Sequence, residues 1–303
     1  LSDIIPDFYL NILRGKKSEL KSVEEALDAL KLANGTGRIL AGGTDFMLDL
    51  EQGKFNCETI VDITSVPEMT GIALEDGYLV IGSAVTLDRI AKDSLVKEHF
   101  PSLAKGCNVV GSRQIRNIAT LGGNVATAQP AADGAIALAC FDPTFIVVDH
   151  GGERKLKIKE MYVGFGKSAV DPTFQILTKI VLPIPDRKSE AASFVRLELR
   201  KSLSLPMLNV SAKIKAEDGV IGSARIHMAP VGVGPVRATE AEEYLVGKKL
   251  DKESISEASL LALKNANPRS NPLRGSKEYR EQTLPVLVKR ALEDTAVQLG
   301  IEI

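Results

Sequence analysis

Gly111 to Asp133 reads GSRQIRNIATLGGNVATAQPAAD, and its centre, Thr120-Leu121-Gly122-Gly123-Asn124, sets a hydroxyl, two adjacent glycines and a carboxamide side by side. Glycine carries no β-carbon, so backbone amides at such a turn can come close to an anion. The same construction occurs earlier: Arg38 to Ala41 reads as a short strand that stops at Gly42-Gly43, and Thr44 adds a hydroxyl. Either turn alone is compatible with a tight turn that binds nothing. Together they suit the two phosphates of a dinucleotide, gripped from both sides. No G-x-G-x-x-G opens a helix and no G-x-x-x-x-G-K-[ST] occurs, which argues against a Rossmann site and a P-loop.

Outward from these turns, the first unit alternates helix and strand. Ser22-Val23-Glu24-Glu25 fits a capping box, with Val23, Ala26, Leu27 and Leu30 following at helical spacing as far as Gly35. Thr59 to Ile63 is a second strand, and Ile72 to Leu74 and Tyr78 to Ile81 flank Asp76-Gly77 as a hairpin. Helices are expected over Thr86 to Lys92, Pro101 to Val110 and Ala135 to Phe141, with strands over Phe145 to Val148 and Gln175 to Leu182. The stretch from Gly111 to Asp133 reads as a functional loop. After LPIPDRKSEA the pattern changes to strands at Ser193 to Leu199, Asn209 to Lys215 and Val220 to Met228. Helices near Thr239 to Val246, Glu253 to Asn265 and Ser276 to Leu299 complete the chain, the last broken or kinked by Pro285.

The 303 residues call for one large or two modest domains, and 44% hydrophobic with 25% charged residues is an ordinary globular composition. Thirty-eight Lys and Arg against 39 Asp and Glu give a net charge of −1, with no long run of one sign, so nucleic acid and anionic membrane are poor partners. Cys57, Cys107 and Cys140 lie far apart without CxxC spacing, and His99, His150 and His227 are scattered as ordinary surface or half-buried histidines. Cysteine can therefore build neither an iron–sulfur cluster nor a zinc site here. The opening LSDIIPDFYL is acidic and lacks an apolar core, so it does not read as a signal peptide, and no stretch approaches the roughly 20 apolar residues of a membrane span. Cytoplasm is the expected location.

AGGTDFMLDL, ATLGGNVATAQPAAD, SFVRLELRKSLSLPMLNVSAKI and PVRATEAEEYLVGKKL, in this order and spacing, resemble the FAD-binding medium subunit of molybdenum hydroxylases, the xanthine dehydrogenase and carbon monoxide dehydrogenase family. The resemblance covers nearly the whole chain. It implies an α+β protein: a vanillyl-alcohol-oxidase-type FAD-binding domain of two α/β subdomains over residues 1–185, split near 64, followed by a smaller C-terminal α+β domain over 186–303.

Carried over position by position, the resemblance implies a first pyrophosphate loop at Ile39, Leu40, Ala41, Gly42, Gly43, Thr44, Asp45 and Phe46. A second comprises Thr120, Leu121, Gly122, Gly123 and Asn124, with Val110 and Gly111 flanking the cofactor. Asp133 matches the aspartate of the S/T-x-GGN-x(8)-D pattern, and Leu177 a flavin-contacting backbone position. Arg196 stands where the family often has lysine, in a K-x-x-x-R frame completed by Arg200, and can place positive charge near the flavin or a phosphate. An unpaired carboxylate at Asp133, inside an alanine-rich stretch, would be costly, so it is expected to be hydrogen-bonded or capping. Neither loop contains histidine or cysteine, so FAD is expected to be held noncovalently. The cysteine-rich loop that holds a 4Fe–4S cluster in 4-hydroxybenzoyl-CoA reductases has no counterpart among three dispersed cysteines.

By the same resemblance, the chain relays electrons from the 2Fe–2S clusters of a small partner subunit, through FAD, to an external acceptor. A large partner carries the molybdenum cofactor, and the subunits form a higher-order hetero-oligomer. Two other readings compete: a self-contained FAD-dependent reductase or dehydrogenase of the same fold, and a dinucleotide-binding module without a redox role. Copurifying partners separate the first from the second, and a flavin spectrum separates both from the third.

Overall fold

The computed structural model describes residues 20–201, 203–272 and 275–303. The reading of LSDIIPDFYL falls outside them. Helix α1 (Val23–Leu32) forms because Ala26, Leu27 and Leu30 share one buried face and Ser22 caps the start, its Oγ accepting from the Glu25 N–H at 3.1 Å. The expected reciprocal arm is displaced by one residue: Glu25 Oε2 accepts from the Lys21 N–H at 2.7 Å, the glutamate chain being long enough to reach the next amide out. Strand β1 (Gly37–Leu40), helix α2 (Phe46–Glu51) and strand β2 (Thr59–Asp62) follow. The two strands pair in parallel from Gly37↔Thr59 to Leu40↔Asp62, so the chain between them must cross over, and α2 lies in that crossover. The core of this unit adds Met69, Ala84 and Ile176 from later segments to Ala26, Leu30 and Val61. It is therefore completed by the part of the chain it rests on.

The middle region begins with strands β3 (Ile72–Glu75) and β4 (Tyr78–Gly82), joined at Asp76-Gly77, both at positive φ as this two-residue turn requires. Six short helices come next: α3 (Leu87–Lys92), α4 (Ser94–His99), α5 (Pro101–Asn108), α6 (Arg113–Ile118), α7 (Leu121–Ala126) and α8 (Asp133–Ala139). Strands β5 (Thr144–Asp149) and β6 (Gly152–Lys157), helix α9 (Ile158–Met161), the small ribbon β7 (Tyr162–Gly164) and β8 (Lys167–Ser168), and strand β9 (Ile176–Pro183) complete it. The sheet order is β3-β4-β9-β5-β6, every neighbour antiparallel.

Most of the segment expected as a functional loop is thus helical. Ser112 and Thr120 cap α6 and α7 through their hydroxyls, and Leu121 and Val125, four residues apart, bury one face of α7. Glycine content masked that signal.

The last part is a second antiparallel sheet of strands β10 (Glu190–Glu198), β11 (Pro206–Glu217), β12 (Val220–Ala229) and β13 (Val236–Arg237), in that order. Helices α10 (Thr239–Leu245), α11 (Lys252–Leu261) and α12 (Lys277–Gln298) cover it. Pro285 does not break α12, which runs through it. A proline inside a helix costs about 3 kcal/mol. Burial of Leu284, Leu287, Val288 and Leu292 offsets that, each large side chain contributing about 1.5–3 kcal/mol. Phe194 of β10 and Ala229 of β12 are buried in the core of the middle region rather than in that of their own sheet. No described helix is long and apolar enough to cross a membrane.

Candidate functional site

Strand β1 ends at Leu40 and releases Ala41 to Asp45 as a loop, so Ile39 and Leu40 are strand residues and Phe46 opens α2. Gly43 sits at φ +72°, which a residue with a side chain would adopt only under strain. Gly42 is required for another reason: a β-carbon there would overlap the Ile118 carbonyl and stand 2.7 Å from Ala119 Cα. The first loop therefore lies directly against the junction of α6 and α7. Among the described residues, the N–H groups of Gly42, Gly43, Thr44 and Asp45 donate to no acceptor. Consecutive unpaired amides of this kind are suited to an anion.

The second loop is built differently. Thr120 is buried and its Oγ1 accepts from the Gly123 N–H at 3.0 Å as a helix cap, which still leaves its O–H as a donor. The Leu121 N–H donates to Val85 O at 3.1 Å, Gly122 to Ser83 O at 3.0 Å, and Asn124 to Thr120 O at 2.9 Å. The amides of this loop are thus taken up within the fold, because the start of α7 must satisfy its own donors, and the Thr120 O–H is the donor left from that set. What this loop offers is close approach. A β-carbon on Gly123 would meet only Thr120 Oγ1 within 4 Å, whereas one on Gly122 would fall 2.9 Å from Ser83 Cα. Asn124 turns its Oδ1 to the Ala135 N–H at 3.0 Å, which leaves its Nδ2 group as a donor without a described acceptor.

The flanking positions are tied to the same place. Val110 and Gly111 link α5 to α6, and their carbonyls accept from Arg116 Nη1 at 3.0 and 3.4 Å. Leu177 is buried on β9, and the next residue, Thr178, accepts from the Ser83 N–H at 2.9 Å. Ser83 thereby joins β9 to the second loop.

Asp133 and Arg196 form a buried ion pair, each side chain 6% exposed, with Arg196 Nε 3.1 Å from Asp133 Oδ1. Asn209 Nδ2 donates to the same oxygen at 2.9 Å. Arg196 also donates to Glu198 Oε2 at 2.7 Å and to the Ser204 carbonyl. Burial pushes the Asp133 carboxyl up to about 6, against the lowering pull of Arg196 and Asn209. The carboxylate is hydrogen-bonded, as its setting required. Arg196 is a committed partner of it rather than a free cation.

Sequence reading missed Ser83, the Ile118-Ala119 backbone and Asn209. Nothing local marks the first two, since their role is long-range contact. Asn209 did carry a signal, as a polar residue inside the apolar run PMLNVSAKI. The histidines stay apart from the site: His150 Nε2 is 3.1 Å from Leu27 O, and His227 is fully buried on β12 rather than at the surface, its imidazole pushed down to about 3 chiefly by burial.

A model of the FAD-binding domain in molybdopterin dehydrogenases matches residues 18–185, and one of the CO dehydrogenase flavoprotein C-terminal domain matches residues 193–295. The chain belongs to this family. It is an FAD-binding oxidoreductase subunit of the molybdenum hydroxylase type. It is 30% identical over 284 residues to the nicotinate dehydrogenase FAD-subunit of Eubacterium barkeri, spanning 92% of this chain and 95% of that one. The xanthine dehydrogenase FAD-binding subunit of Escherichia coli O157:H7 is 28% identical, over 90% of this chain and 94% of its own. In fold, the chain superposes on a chain of the carbon monoxide dehydrogenase of Hydrogenophaga pseudoflava with a TM-score of 0.86 at 24% identity, covering 92% and 96% of the two. The α+β architecture is an FAD-binding domain followed by a C-terminal domain.

The residues present fit a dinucleotide. The unpaired amides of Gly42 to Asp45 belong to a loop packed against Ile118-Ala119, the residues that lead into the open face of Gly123 and the spare Asn124 amide. The fit is asymmetric: donors come mainly from the first loop and space from the second.

Proposed function

We propose that this chain is the electron-exit subunit of a multi-subunit molybdenum hydroxylase. It binds FAD noncovalently, receives electrons from the 2Fe–2S clusters of a small partner and delivers them to an external acceptor, while a large partner carries the molybdenum cofactor. The observation that carries this reading is the run of unpaired amides at Gly42 to Asp45, braced against Ile118-Ala119. Bound flavin would supply one- and two-electron exchange. The chain's own residues bind and orient it.

In this reading, Ala41, Gly42, Gly43, Thr44 and Asp45 take the pyrophosphate, with Ile39, Leu40 and Phe46 fixing both ends of their loop. Thr120 to Asn124 admit the cofactor closely, Asn124 donating through Nδ2. Val110, Gly111 and Leu177 wall the site, and Asp133 supplies an acceptor backed by Arg196. The division into residues 1–185, split near 64, and 186–303 belongs to the same proposal. Three dispersed, buried cysteines support cluster ligands on a partner chain, and so sparse a cysteine usage supports a cytoplasmic location.

The test is purification with and without coexpressed partners. A yellow chain that releases FAD on acid denaturation, and that restores substrate-driven acceptor reduction only with a small and a large subunit, is expected. Flavin bleaching by substrate with the isolated chain alone, under anaerobic conditions, would instead establish a self-contained dehydrogenase.

A further inference from the structure

The Asp133–Arg196 pair joins α8 to β10, and its hydrogen bonds are unevenly shared. Both donors converge on Oδ1, Arg196 Nε at 3.1 Å and Asn209 Nδ2 at 2.9 Å, and among the described residues nothing donates to Oδ2. Arg196 is committed through all three nitrogens, to Asp133, to Glu198 and to the Ser204 carbonyl, and its side chain is 6% exposed. To reach a phosphate it would have to abandon this network. The cluster sets one guanidinium against two carboxylates, a balance that repels an anion and attracts a hydroxyl donor.

The position of Asp133 supplies the other half of the argument. Two residues on, the Ala135 N–H holds Asn124 Oδ1 at 3.0 Å, so the start of α8 is anchored to the second loop. The first turn of α8 is consequently joined to the loop through Ala135 and to β10 and β11 through Asp133.

We infer that Arg196 is a positioning residue: it orients the Asp133 carboxylate so that Oδ2 accepts a hydroxyl of the bound dinucleotide, without itself touching the cofactor. The inference rests on the FAD reading above. The groups that face Asp133 are Arg196 and Glu198 from β10, Asn209 from β11 and the buried Cys107 thiol from α5. Without Arg196, burial and Glu198 act on the carboxyl with little opposition. It then holds its proton at neutral pH and is a poorer acceptor.

The experiment is a double-mutant cycle on the full chain, reading FAD dissociation constants by flavin fluorescence from pH 5.5 to 8.5. Arg196→Met and Asp133→Asn are each expected to weaken binding about 10- to 100-fold, the loss of one charge-assisted hydrogen bond. The double variant should bind no more weakly than the poorer single one. Losses that multiply in the double variant would show that Arg196 meets the cofactor directly and would overturn the inference. Arg196→Lys keeps a cation at the position and guards against misfolding of the methionine variant. Its affinity should fall off at a higher pH than in the parent, and an unchanged pH midpoint would overturn the inference. A parent chain that takes no FAD would refute the functional reading itself, a result distinguishable from multiplying losses in a parent that binds.

Discussion

Gly42 of the first loop lies against the carbonyl of Ile118 so closely that no side chain fits between them. Two segments more than seventy residues apart in sequence are thereby held at backbone contact, and the candidate site depends on that single absent β-carbon.

Gly42→Ala should force this contact open. Overpacking of this kind costs about 1–3 kcal/mol. FAD affinity should fall by an order of magnitude or more, because the amides lose their backing. Calorimetric titration of the apo chain, with a thermal melt as control, checks this. Unchanged affinity would mean that the two loops do not act as one site.

The neighbouring glycines of the second loop should separate cleanly. Gly123→Val has only Thr120 Oγ1 within reach, so the apo melting temperature should drop by no more than a few degrees while FAD-induced stabilisation disappears. Gly122→Ala collides with Ser83 and should lower stability by about 1–3 kcal/mol with or without FAD. Melts of both variants with and without FAD distinguish the roles.

Stability against pH should reveal two opposed slopes. Burial pushes Asp133 from 3.8 up to about 6 in the folded chain, so the folded state holds its proton more tightly and stability declines as pH climbs between those values. His227 is pushed from 6.5 to about 3, so the unfolded state gains the proton first and stability declines as pH drops below 6.5. Asp133→Asn should remove the first decline and His227→Gln the second, each changing the difference in stability between pH 4 and 6.5 by about 1–3 kcal/mol. Urea unfolding of the apo chain at several pH values measures both, and parallel curves for all three proteins would refute the assignment.

Pro285→Ala restores a backbone donor inside α12 and should stabilise the chain by about 1–3 kcal/mol, read from the denaturation midpoint at constant slope. A loss of stability would show that the proline ring packs productively in place.

Local chemistry carried much of this far. Ser22 announced α1, Asp76-Gly77 announced its hairpin, and both glycine pairs marked the places where the backbone comes close to something else. What each pair comes close to was not legible. Gly42 faces Ile118 and Gly122 faces Ser83, partners chosen by tertiary packing and not by spacing. That the Thr120 Oγ1 also accepts as a helix cap was not legible, because a helix there was hidden by glycines that disfavour one. The Arg196 network was half visible: the buried charge of Asp133 demanded a partner, but only the sheet register, Arg196 opposite Asn209, brings both donors to it.

Phe194 belongs by sequence to the C-terminal sheet and by burial to the heart of the preceding region. The chain's two halves are therefore keyed together like a tenon in its mortise. A fragment ending near residue 185 would leave an aromatic-sized socket open to water, and the complementary fragment would carry a bare phenyl ring. Shuffling either half with that of a distant relative would meet the same obstacle, so the flavin-holding part and its companion are bound to change shape together over evolutionary time.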